Sequence, residues 1–213
     1  VKNRFNIQDI VKSSAAILVM SVVFIGCEAD SSADESASSH HSTGEAIAVV
    51  SSAMTVDEAI KIVSGDGPPM RGIQALIALA EADEPNVKAR LWLGRFGIQS
   101  GQLDKARMRF ISVLDLEPNH LEATWDLAML DMEMGNHQEA VTGFTNYTDL
   151  NPKEEKVHFF KASCLESMGN QVEALELYRT FLSLTTDSVL SGKVEGIINR
   201  LEVDISVVSD PNE

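Results

Sequence analysis

Cysteine is scarce in this chain. Two occur in 213 residues, Cys27 and Cys164, so no disulfide framework is implied. Positive charge is also short: 17 Lys and Arg stand against 32 Asp and Glu, a formal net charge of −15. That is too acidic for a general nucleic-acid binder. The apolar run 15–26 (AAILVMSVVFIG) falls short of the ~20 residues that span a bilayer. A catalytic arrangement is missing too. His120, His137 and His158 have no metal-ligating partner at i+4 and no nucleophile nearby, and Ser163-Cys164 has nothing basic beside it. Gly65-Asp66-Gly67 lacks the preceding strand, lysine and spacing of a phosphate cradle and reads as a turn. Neither an enzyme, a cofactor nor a metal is therefore expected.

What the chain has is a repeat. Gly101, Gly135 and Gly169 are each 34 residues apart, as are Ala106, Ala140 and Ala174, and the aromatics Phe110, Phe144 and Tyr178. Gly94, Ala128 and Ala162 make a fourth series, and Pro118 and Pro152 a fifth. In each unit two apolar patterns of helical period flank a Gly-Gln or Gly-Asn pair, where glycine can stop a helix in the left-handed conformation. The small residues predict close helix approach, and the prolines predict the end of each second helix.

These landmarks at this period resemble the tetratricopeptide repeat, a helix–turn–helix unit. The resemblance implies an all-α, right-handed superhelical solenoid of antiparallel helix pairs. It also implies a binding scaffold rather than an enzyme. The chain departs from the family at its large first-helix positions. Arg90, Thr124 and His158 replace the early aromatic; Gly97, Asp131 and Leu165 replace the tyrosine; Lys161 stands where Leu93 and Leu127 do; Thr186 replaces the closing proline.

Lys2, Arg4 and Lys12 precede the run 15–26, and Phe24-Ile25-Gly26-Cys27 follows at its end. The pattern resembles a bacterial lipoprotein signal peptide with its lipobox, although Phe24 stands where leucine is usual. It implies cleavage after residue 26, lipid on Cys27 and attachment to a membrane of the bacterial cell envelope. Residues 27–52, acidic and Ser-rich, read as a flexible tether, with His40-His41 as solvated linker.

The helical domain is expected over 53–203. Thr55-Val-Asp-Glu58 is a capping box for a short helix to about Ser64, and Pro69 suits the first position of the next. Gly72, Leu76 and Leu79 precede Ala106, Phe110 and Val113 by 34, marking 53–86 as a divergent repeat ahead of 87–120, 121–154 and 155–188. Over 188–203, Val189, Val194, Ile197, Ile198 and Leu201 suggest a capping helix with a polar outer side, and 204–213 a frayed tail.

In the family, first helices line a concave groove. The matching positions are Leu91, Trp125 and Phe159; then Arg95, Met129 and Ser163; then Ile98, Met132 and Glu166. Leu91, Arg95, Ile98, Trp125, Met129, Met132 and Phe159 are the candidate partner-binding residues. Trp125 and Phe159 either face that groove or pack between first helices. The Lys and Asn that clamp a C-terminal carboxylate in some relatives are absent, since Leu91 and Arg95 stand there. Residues 87–120 hold six basic side chains against three acidic, and 121–154 one against seven. Such a dipole would orient an elongated partner, with Arg95 pairing an acidic group on it. The expectation is a lipid-anchored adaptor with a protein or peptide partner and no nucleic acid. The alternatives are a structural subunit of an envelope assembly machine, for a pilus or outer-membrane biogenesis, and, behind it, an unrecognised enzyme.

Overall fold

The computed structural model describes residues 54–65 and 67–209. The signal-peptide, lipidation and tether expectations, Cys27 included, lie outside the described residues. Within them every regular element is helical. The first, α1 (Val56–Val63), starts at the capping box: Thr55 Oγ1 accepts from Glu58 N–H, and the Glu58 carboxylate accepts from Thr55 N–H at 2.9 Å. After α2 (Met70–Ala80) come three helix pairs: α3 (Val87–Gln99) with α4 (Leu103–Leu116), α5 (Leu121–Glu133) with α6 (His137–Leu150), and α7 (Lys156–Ser167) with α8 (Gln171–Leu184). The last, α9, is Ser188–Ser209.

One turn motif joins all three pairs. Gly101, Gly135 and Gly169 take φ of 73°, 80° and 82°, the left-handed region where a side chain is strained. That conformation lets Gln102 N–H reach Gly97 O at 2.8 Å while Gly101 N–H reaches Ile98 O at 3.0 Å. The same two bonds recur at Asn136 and Gly135 and at Asn170 and Gly169. This is the paired bonding of a Schellman end, and it reverses the chain so that the second helix packs back on the first.

Each helix packs on its neighbours in sequence, and α3 also touches α1 and α5. The result is an all-α solenoid of antiparallel helix pairs. Small residues set the spacing within a pair. A Cβ on Gly94 would lie 2.5 Å from the Phe110 ring, and Phe110, Phe144, Ala106, Ala140 and Ala174 are completely buried. Burying an aromatic of that size contributes about 1.5–3 kcal/mol, so the repeating series in the sequence is the core.

Three expectations are corrected at the ends of the elements. Pro69 precedes the second helix rather than opening it. Val189 points outward and is 70% exposed, because the inward face of α9 is made by Val194, Ile198 and Leu201. Finally, α9 does not stop near 203: Ile205 packs on the same core, which carries the helix to Ser209.

Candidate interaction surface

The first helices hold the candidate residues, and the structure divides them. Leu91 is buried among Ala106, Phe110, Val113, Ala123 and Leu130, which corrects its assignment to a groove. Burial of its position follows from α3 being covered by α4 and α5 at once. Trp125 is half-buried in an aromatic cluster, its ring 4.8 Å from Tyr147, 5.7 Å from Phe160 and 5.9 Å from Phe144. Phe159 lies 5.8 Å from Tyr178 and 5.7 Å from Phe181. Both rings thus fasten α5, α6, α7 and α8 together: Trp125 meets a neighbouring first helix at Phe160 as well as the second helix of its own pair, whereas Phe159 packs on the second helix of its own pair. Ile98, Met129 and Met132 are half-buried, and of the three Ile98 packs on the core of Leu91, Phe110 and Leu130.

Arg95 faces a neighbouring helix, not solvent. Its Nε donates to Asp126 at 2.6 Å and its Nη2 to Glu122 at 2.7 Å, both on α5, and its guanidinium sits 5.3 Å from the Trp92 ring. Burial opposes the charge on this guanidinium, but Asp126 and Glu122 outweigh it and raise its pKa. For Asp126 burial is the larger effect and holds the carboxyl above its usual range despite Arg95. The expectation that Arg95 orients a partner is corrected: its donors are used between α3 and α5.

Four of the other five basic side chains of 87–120 behave alike, Lys105 reaching only Gln102 in its own repeat. Lys88 pairs with Asp57, Arg107 with Asp131, and Arg109 with Glu81, while Arg90 donates to the carbonyls of Ala80 at 3.0 Å and Ser112 at 3.4 Å. Each joins two successive repeats. The dipole visible in the sequence is therefore largely spent as inter-repeat staples. Asp131, 2% exposed, is the buried member of one; Arg107 Nε donates to it at 2.5 Å and the Asn136 amide at 3.1 Å. Sequence reasoning missed these staples, although basic and acidic residues 24–31 positions apart in a 34-residue repeat were a usable signal.

Cys164 is completely buried, and burial pushes its thiol pKa up to about 11, the state of an inert packing residue. His120 accepts from Ala123 N–H at 3.2 Å as the N-cap of α5, a structural use of that ring.

With this geometry in place, known proteins can be compared. A family profile described as the bacterial transcriptional activator domain matches residues 78–191, more than half of the chain. The chain belongs to this family. The match runs from the end of α2 to the start of α9 and takes in the three helix pairs α3–α4, α5–α6 and α7–α8. Solved structures share the architecture. MamA of MSR-1 superposes with a TM-score of 0.59 at 20% identity, over 70% of this chain and 84% of its own. MamA of AMB-1 gives 0.53 at 28%, over 66% and 88%. The Yersinia enterocolitica type III secretion translocator chaperone SycD gives 0.52 at 19%, over 67% and 97%. No curated protein sequence shows significant similarity to the chain. These likenesses support a tetratricopeptide-like fold.

Proposed function

We propose that this chain is a protein-binding scaffold of the bacterial cell envelope that works by docking a partner segment and catalyses no reaction. The observation that carries the reading is the half-buried strip of Met129 and Met132, one turn apart on α5. Unbranched methionines adapt to a partner's shape, and charged neighbours of the strip are already paired between helices. SycD, which shares the fold, is a type III secretion translocator chaperone, which favours protein partners. The family description refers to transcriptional activators; with a net charge of −15, this module would serve such a setting through protein contacts, not nucleic acid.

Attachment is the second half of the proposal. Among the described residues no helix is long and apolar enough to cross a membrane, and Cys27 with its preceding apolar run supplies a lipid anchor instead. Each buried methylene contributes about 0.8 kcal/mol, so several acyl chains hold a protein firmly.

Site-specific photocrosslinking in intact cells tests the docking strip. A crosslinker at Met129 or Met132 is expected to capture one discrete protein adduct, and one at Met108, 69% exposed on α4, to capture none. Equal adducts from all three positions would sink the strip. Fractionation of Cys27→Ser tests the anchor separately, and a variant still processed and still membrane-bound would refute it.

A further inference from the structure

The first complete repeat contains a device that the second lacks. In the first, Arg90 on α3 reaches between the neighbouring second helices, donating to Ala80 O at the end of α2 and to Ser112 O on α4. Add 34 and the corresponding residues are Thr124, Leu114 and Asn146. Threonine is too short to make that bridge, and its hydroxyl turns back to His120 O at 3.1 Å. At this place the structure has an open cleft of about 490 Å³ between α4 and α6, floored by α5. Leu114 and Asn146 line it, as the register requires, together with Thr124, Leu127, Glu139 and Asp149.

The cleft is also acidic on balance. Arg107 on the α4 wall pairs with Asp131 on the α5 floor, and the Glu139 charge also acts on its guanidinium. Glu139 and Asp149 at its rim are exposed and make no ion pair among the described residues. The cleft's charged lining is three carboxylates, Asp131, Glu139 and Asp149, against one guanidinium, Arg107. A cation with an apolar stem fits: aliphatic carbons against Leu114 and Leu127, donors toward backbone oxygens and the two carboxylates. A planar guanidinium meets this better than an ammonium, because its fixed fork reaches two acceptors at once.

We propose that the cleft between α4, α5 and α6 is a docking site for an arginine-bearing segment of a partner protein, whose guanidinium bridges α4 and α6 as Arg90 bridges α2 and α4. The lining does not include Met129 or Met132, so this is a second contact, independent of the first-helix strip. One partner reaching both surfaces gains by effective concentration.

The test is an amide-shift titration with the short peptide ALRLA, its lysine and glutamine counterparts, and agmatine. The arginine peptide is expected to shift the amides of Asn119, Thr142 and Asn146 saturably. The lysine peptide should bind several-fold more weakly, and the glutamine peptide and agmatine at least tenfold more weakly. Two variants separate the causes. Thr124→Arg supplies the missing bridge from within, so it should keep or raise the melting temperature and abolish the shifts. Glu139→Gln with Asp149→Asn alters only exposed side chains and should weaken the arginine peptide about tenfold, a loss that high salt reproduces in the parent. The proposal is overturned by any of four results: no saturable shift up to about 5 mM, equal binding of the glutamine peptide, undiminished binding to a folded Thr124→Arg, or equal affinity for agmatine, which would make the cleft a small-cation site.

Discussion

Asp131 shows at the scale of one residue how this chain holds a charge inside. A carboxylate taken out of water is tolerated only when paired and hydrogen-bonded, and Arg107 and Asn136 supply both needs. Removing one partner leaves the other charge stranded. Arg107→Ala is therefore expected to destabilise the domain by about 3 kcal/mol, read by urea denaturation, while Lys105→Ala, whose amine only touches exposed Gln102, should stay within about 0.5 kcal/mol of the parent. Equal losses would mean that the pair carries no special weight. His158 gives the pH-dependent case. Burial first, and then the positive charge of Lys161, lower its pKa below the ordinary 6.5. On acidification the unfolded chain then takes up that proton before the folded one does. The stability linked to His158 is complete above pH 6.5 and is lost as the pH falls from there through the lowered folded value. Melting curves between pH 7.5 and 5 on the parent and His158→Gln should diverge in that window, the parent falling more steeply.

At the scale of the element, the repeat is one motif used three times: a first helix, a glycine-centred reversal, and a second helix packed through alanine. The backbone contacts make the alanines unforgiving. Ala140 has no exposed surface, so Ala140→Leu must push α5 and α6 apart and is expected to cost about 1–3 kcal/mol. Thr142→Leu two residues on, exposed on the same helix, is the control and should change little. A leucine at 140 with the parent's melting temperature would show that the helix pair is not packed as described.

For the whole molecule the relevant energy lies between repeats. A solenoid has contacts only to nearest neighbours, so an uncovered end is an apolar surface in water. Here α9 covers Ala174, Tyr178 and Phe181 with Val194, Ile198 and Leu201 and is pinned by Arg200 to Glu166 and by Glu202 to Arg179. Ending the chain at Asp187 is expected to lower the melting temperature by about 4–12 °C, what a loss of 2–3 kcal/mol does in a domain of this size, and to promote self-association. Ending it at Ser209 should do neither. Calorimetry with light scattering distinguishes the two truncations.

The sequence by itself determined the fold, because a 34-residue period with small residues, aromatics and glycines in fixed places can be satisfied only by stacked helix pairs. It also determined the three left-handed glycines, whose conformation is local, and the capping box at Thr55. Which polar and aromatic groups remain available was decided by tertiary structure alone. Arg95 reads as a free cation on an open face until α5 brings Glu122 and Asp126 to it, and Leu91 reads as groove until two helices cover it. Trp125 and Phe159 could not be assigned from periodicity, because one helical face serves both groove and neighbouring repeat, and only the crossing of helices decides which atoms meet. The cleft beside Thr124 depends on the same crossing: a short side chain in the sequence becomes an opening only where the helices around it are held apart by everything else.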